Sequence, residues 1–135
     1  MGPVVFIDTS VFVAILTNEP DRDLFIDAIA AAERRMTSPV VRLETCIVLS
    51  RRLDFLPRDA EARFEAFLKD AEIEESRIDS AVGAEAVACF ERYGKGRHPA
   101  RLNFADCLSY ACAKAVDAAL LFKGGDFAQT DVKAR

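Results

Sequence analysis

The chain has a single histidine, His98, no Cys-x-x-Cys pair, and only six glycines and five prolines among 135 residues. One imidazole excludes chemistry in which two histidines of the same subunit serve as base and acid. The four cysteines, Cys46, Cys89, Cys107 and Cys112, lack the spacing of a structural zinc site and sit among apolar neighbours in stretches that read as helix. They read as small core residues in a reducing compartment. No segment approaches the roughly 20 apolar residues of a membrane span, and Met1 to Asp8 is too short for a secretory signal, so the expected location is the cytoplasm. Positive charge is not in excess either. A net charge of -4 argues against a protein that coats nucleic acid by bulk attraction.

What is present fits one soluble globular domain over residues 1–135: 51% of the residues are hydrophobic and 30% charged. A chain of this length buries roughly 70% of the surface its unfolded form exposes, and needs no covalent staple. Charge is segregated along it. Arg92, Lys95, Arg97 and Arg101 share a stretch without an acidic residue, whereas the segment from Asp70 to Asp79 is rich in acids.

The apolar run from Pro3 to Ile7 reads as a buried strand, and Asp8-Thr9-Ser10 after it as a helix-capping cluster. Pro20 with Asp21 and Asp23 opens a helix expected to run to about Arg35, with Met36 and Thr37 a brief strand. Ser38-Pro39 starts a helix to about Leu53, Pro57 another to about Ala71, and Ile73 to Ser76 suits a short strand. A helix from Asp79 to Tyr93 stops at Gly94. Gly94 to Leu102 reads as an exposed loop, Asn103 as the cap of a helix to about Ala115, and Ala119 to Phe122 as a buried strand before Gly124-Gly125. The tail from Thr130 reads as weakly structured. Strands separated by helices imply a parallel sheet covered on both faces.

Four acids stand out against this layout. Asp8 and Asp126 follow apolar strands, which places both near the carboxyl edge of a parallel sheet, where such sheets bind ligands. Each also fits a local role, Asp8 as a helix cap and Asp126 as a turn or cap residue. Glu44 is centred on an apolar helical stripe of Val40, Val41, Ile47 and Val48, so it needs a cation, hydrogen-bond donors or a salt bridge. Asp106 lies in the first turn of its helix, where the macrodipole favours an acid, and heads a polar seam with Asn103, Ser109 and Tyr110. Gathered at one edge, such carboxylates repel by about 4 kcal/mol per 4 Å pair at an effective dielectric constant of 20. A hard divalent cation, Mg²⁺ or Mn²⁺, removes that conflict.

Four segments together resemble the PIN-domain nucleases, and among them the VapC-type toxins of toxin-antitoxin pairs: Phe6 to Ser10, Ser38 to Glu44, Leu102 to Ala111 and Leu120 to Phe127. They span nearly the whole chain in the family's order. The resemblance implies an α/β/α sandwich with a central parallel sheet, and Asp8, Glu44, Asp106 and Asp126 as the acidic, metal-binding set. It further implies cleavage of RNA, inhibition by a VapB-type antitoxin and a homodimer. Many members carry an acid or Asn just before the final Asp, where this chain has Gly125. Thr9 and Ser10 are expected to orient Asp8, Asp131 to give outer support, and Arg92, Lys95, Arg97 and Arg101 to hold the RNA backbone.

Two other classes fit parts of the pattern. A phosphorylation receiver domain would use Asp8, Asp54 and Lys123, but Asp54 follows a segment of helical period where a receiver needs a buried strand, and Asp8 lacks an adjacent acid. A non-catalytic module would keep the fold and engage a protein partner through its surface.

Overall fold

The computed structural model describes residues 3–134. Its elements, in chain order, are β1 (Val4–Ile7), α1 (Thr9–Leu16), α2 (Arg22–Ala31), β2 (Arg34–Thr37), α3 (Pro39–Arg52), α4 (Pro57–Asp70), β3 (Glu74–Glu75), α5 (Ser80–Tyr93), α6 (Phe104–Ala115) and β4 (Ala119–Leu121). A short 3-10 turn covers Phe127–Gln129. The four strands form one parallel sheet in the order β3-β2-β1-β4. It is the central layer of the expected α/β/α sandwich. Among the described residues no helix is long and apolar enough to cross a membrane.

β1 lies inside the sheet, paired with β2 through Phe6 and Met36 and with β4 through Phe6 and Leu120. Its Val5, Phe6 and Ile7 are fully buried, as a strand flanked and covered on both faces requires. The chain proceeds from β1 to β2 on one side and returns to β4 on the other, so the connections diverge at the carboxyl end of β1. A crevice opens at such a divergence. The helices divide accordingly: α1 packs on α2, α3 and α4, whereas α5 and α6 pack on each other with α6 against β1 and β4.

Phe12 of α1 is fully buried and meets Phe64 of α4 at 4.8 Å between ring centroids and Phe67 edge-on at 5.9 Å. This aromatic contact clamps the helix that follows Asp8. On α3, Arg42 pairs with Glu61 at 3.1 Å and Glu65 at 2.6 Å on α4 and with Glu75 of β3, while its guanidinium stacks on Phe64. All four cysteines are free and buried.

Local signals placed most boundaries within a few residues, but the segment expected as an exposed loop buries Ala100 and Leu102 fully and bridges Leu102 to Gly94, and three further differences stand out. Helix α2 ends at Ala31 rather than Arg35, because the Glu33 and Arg34 amides donate to the Pro3 carbonyl and Val4 pairs with Arg34. Sheet pairing overrides the helical preference of the Ala-rich segment. Gly94 ends α5 in an extended conformation, not a left-handed cap, and a side chain there would come within 2.5 Å of the Phe90 carbonyl oxygen. The tail is also more ordered than its composition suggests: the Leu120 amide donates to the Lys133 carbonyl at 2.7 Å, extending the sheet edge beside β4.

Replacing Phe12 by Ala is expected to lower unfolding free energy by about 3–5 kcal/mol, because the buried ring leaves a cavity between α1 and α4. Urea denaturation of the two proteins measures it.

Candidate active site

Asp8 ends β1 and caps α1, its Oδ2 accepting from the Ser10 amide at 3.2 Å and the Ser10 hydroxyl at 2.8 Å. Both contacts fall on one oxygen, which leaves the second for another ligand. The Ser10 hydroxyl in turn accepts from the Lys123 amide at 2.9 Å, and the Asp8 amide donates to the Leu121 carbonyl at 3.1 Å. The carboxyl ends of β1 and β4 are thereby tied through the same side chain that orients Asp8.

Asp106 is held as tightly, by local means. Its carboxylate accepts from the Asn103 amide at 3.0 Å while the Asn103 side chain accepts from the Asp106 amide at 2.9 Å. This reciprocal cap fixes both ends of the first turn of α6. Glu44 has no such tether. Arg42 and Arg52, on the same helix, pair elsewhere, so the salt bridge considered for Glu44 is not made with them. The Thr9 hydroxyl is buried without a partner at regular hydrogen-bond distance, yet lies close enough to Glu44 to favour its charge.

Asp8, Glu44 and Asp106 line one cleft of about 380 Å³ together with Thr9, Ser10, Val13, Val48, Glu19, Arg52 and Lys123. Burial, and then the neighbouring Asp8 charge, pushes the Glu44 carboxyl up from its ordinary range, against the Thr9 hydroxyl. Asp106 is pushed up to about 6, first by burial and then by Asp8, Asp126 and Glu44, with the Asn103 amide opposing. Asp126 is exposed and outside the cleft lining, but its charge reaches Asp106. It precedes the 3-10 turn without capping it through its side chain. Among the described residues no three His, Cys, Asp or Glu groups stand close enough together to hold a metal ion as placed, and the acids that line the cleft offer oxygen donors alone.

Other expected residues lie elsewhere. Asp131 accepts from the Tyr110 hydroxyl and pairs with Arg92 at 3.6 Å, binding the tail to α5 and α6 outside the cleft. Arg92 also stacks on Tyr93, its guanidinium carbon 4.8 Å from the ring centroid. Lys95, Arg97 and Arg101 are exposed around a separate hollow of about 450 Å³. His98 accepts from the Ala100 amide at 3.0 Å and packs edge-on against Tyr93, a structural position. Asp54 is exposed in the turn after helix α3, not at the end of a strand as a receiver would need. Three charged cleft residues were not expected in the nuclease site: Glu19, Arg52 and Lys123, the last weighed only for a receiver. Lys123 alone carried a signal, its place directly behind a buried strand at the sheet's carboxyl edge.

The model of the PIN domain matches residues 5–133. The chain belongs to the PIN-domain family. Within that family, Ribonuclease VapC of Mycolicibacterium smegmatis is 42% identical over 95% of this chain and 97% of its own length. Ribonuclease VapC30 of Mycobacterium tuberculosis is 38% identical over 93% of this chain and 94% of its own. These relatives place the chain among the VapC ribonucleases and settle the receiver alternative against it. Solved PIN folds superpose throughout: VapC20 of Mycobacterium tuberculosis, described as a sarcin-ricin loop cleaving toxin, gives a TM-score of 0.75 at 21% identity over 95% of both chains. A VapBC-1 structure from nontypeable Haemophilus influenzae gives 0.74 at 12% identity, covering 98% of this chain and 96% of the matched one.

The raised Asp106 carboxyl has a consequence for stability with a definite sign. An acid whose folded value exceeds its unfolded value of about 3.9 binds more protons in the native state, so the native state loses stability as pH rises between the two values. Asp106→Asn keeps the acceptor for the Asn103 amide and removes the charge. Its melting temperature is expected to match the parent near pH 4 and to exceed it above pH 6. The gain is about 1 kcal/mol after discounting for partial exposure, roughly 4 °C. Thermal melts across pH 4–8 without divalent cations measure the difference.

Proposed function

We propose that this PIN-domain chain is a divalent-cation-dependent endoribonuclease of the toxin class, a single-domain protein hydrolysing RNA phosphodiester bonds at the cleft of Asp8, Glu44 and Asp106. The observation that carries the reading is three carboxylates from three distant elements in one cleft, two of them pushed up by burial and mutual repulsion. Mg²⁺ fits such a site, since it binds through few carboxylates and keeps several waters, and Mn²⁺ accepts the same oxygens. Asp8, Glu44 and Asp106 would hold it, and Asp126 would contribute from the rim. When bound, the cation supplies Lewis-acid activation of water and neutralises charge developing on the attacked phosphate.

The protein's own part is to hold these acids ready. Ser10 fixes one oxygen of Asp8, the Asn103 cap fixes Asp106, and Thr9 favours the charged form of Glu44. Little reorganisation then remains on binding. Asp131 supports the site indirectly, through Tyr110 on the helix that carries Asp106. Lys95, Arg97 and Arg101 contact RNA outside the cleft, joined by Arg92 when it releases Asp131.

Gly125 bears on how far the shell closes. Gly124 has a φ of +104°, which suits glycine, but a Cβ built at Gly125 meets nothing within 4 Å. An acid at 125 would fit.

A VapB-type antitoxin and a second copy of the chain are the protein partners of this reading, which follows the solved toxin-antitoxin complexes of the fold. An apolar groove of about 620 Å³ lined by Val40, Val87, Phe90, Phe104 and Leu108 offers surface for one of them. The four reduced thiols suit the cytoplasm.

Antitoxin-free protein is expected to cleave a total RNA pool with Mg²⁺ or Mn²⁺ and to stop with chelator. Asp8→Asn, Glu44→Gln and Asp106→Asn should each slow cleavage roughly 100-fold or more. Undiminished cleavage by Asp8→Asn or Asp106→Asn removes this active site. Gly125→Asp should fold normally and increase the rise in melting temperature caused by Mn²⁺; an unchanged rise would place residue 125 outside the metal shell.

A further inference from the structure

The carboxylate cleft has two cations of its own. Arg52, in the last turn of α3, and Lys123, just past β4, are the cationic side chains lining it among the described residues. One carboxylate joins them. Glu19 Oε2 accepts from Arg52 Nη1 at 3.0 Å, and Glu19 Oε1 accepts from Lys123 Nζ, which also reaches Asp21 Oδ1 at 3.2 Å. The cations remain accessible, with side chains 55% exposed for Arg52 and 39% for Lys123.

We infer that Arg52 and Lys123 seat the RNA backbone beside the carboxylates, and that Glu19 occupies their phosphate position until RNA displaces it. The inference rests on the ribonuclease reading and names the residues that bring substrate to that site. The lining acids Asp8, Glu19, Glu44 and Asp106 outnumber these two cations, which are the only lining side chains among the described residues whose own charge attracts a polyanion. A carboxylate shared between a guanidinium and an ammonium mimics a phosphate presenting two oxygens. Lys123, and then Arg52, hold the Glu19 carboxyl below its ordinary range, so it is a charged competitor at neutral pH. Ion pairs this exposed are weak, which makes exchange for phosphate easy. Lys123 is also registered to the chemistry: its amide donates to the Ser10 hydroxyl that donates to Asp8. The loop of Lys95, Arg97 and Arg101 surrounds a different hollow and has no such tie.

The test uses the full antitoxin-free chain and a short fluorescent single-stranded RNA of mixed sequence. Affinity is read by anisotropy in chelator and as KM in Mg²⁺, each over a range of KCl concentrations. Arg52→Gln and Lys123→Gln are each expected to weaken binding and raise KM roughly 5–10-fold. Each should also reduce the slope of log affinity against log salt by about 0.7, the value for one phosphate contact to a single strand. Lys123→Arg should restore the slope. Glu19→Gln should tighten binding, because it removes the competitor and leaves both cations in place. Lys69→Gln, on the outer face of α4, is the reference for losing a charge elsewhere. Arg52 and Lys123 variants that match Lys69→Gln in affinity, KM and slope overturn the proposal, even if their melting temperatures fall. Weaker binding by Glu19→Gln overturns it too. If the unsubstituted protein neither binds nor cleaves RNA, the ribonuclease reading itself fails, and this inference with it.

Discussion

Like charge held at close quarters is the constraint around which the cleft is organised. Asp8, Glu44 and Asp106 arrive from β1, α3 and α6, and Asp8 raises the cost of ionising both of the others, as Glu44 does for Asp106. Two of the three stand at helix N-termini, Asp8 capping α1 and Asp106 in the first turn of α6, where the positive helix end offsets part of the repulsion. Glu44, mid-helix, has the buried Thr9 hydroxyl to favour its charge. The scaffold carries this arrangement because Asp8 and Asp106 are fixed by caps on backbone already ordered, while Glu44 is aimed by the packing of its helix.

Helix α3 shows how such a charge is aimed. Successive residues turn about 100° on a helix, so Arg42 and Glu44 point to nearly opposite sides. Arg42 lies among Glu61, Glu65 and Glu75 and over the Phe64 ring, while Val41, Thr45 and Leu49 enter the core. The rotation of the helix is set by those contacts, and Glu44 and Val48 are left to face the cleft. A structural ion cluster on one side of α3 thus orients a candidate metal ligand on the other.

The same economy holds at the divergence beside β1. Ser10 caps α1, orients Asp8 and receives the Lys123 amide, so one hydroxyl couples helix start, carboxylate and the loop after β4. Beyond that loop Asp126 is exposed, and the tail it leads into is secured by Asp131 on Tyr110 and by pairing with Leu120.

Much of this was legible in the residues because it is local chemistry. The apolar run before Asp8, the Ser38-Pro39 start and the Asn103 cap depend on neighbours within a few positions, and Glu44 declared itself by interrupting an apolar stripe. The motifs then ordered the four acids along the chain. What composition and period left undetermined was set by contacts between distant segments. The Pro3 carbonyl and β1 drew Arg34 and Arg35 out of a helix, Tyr110 claimed Asp131 across 21 residues, and Glu19 met Arg52 across 33 and Lys123 across 104. Pairing energies of this kind depend on where the sheet and helices bring side chains in space, which no spacing within a segment encodes. The sequence by itself determined the fold class and which acids were candidates; only the tertiary structure decided which of them share a cleft and which cations line it.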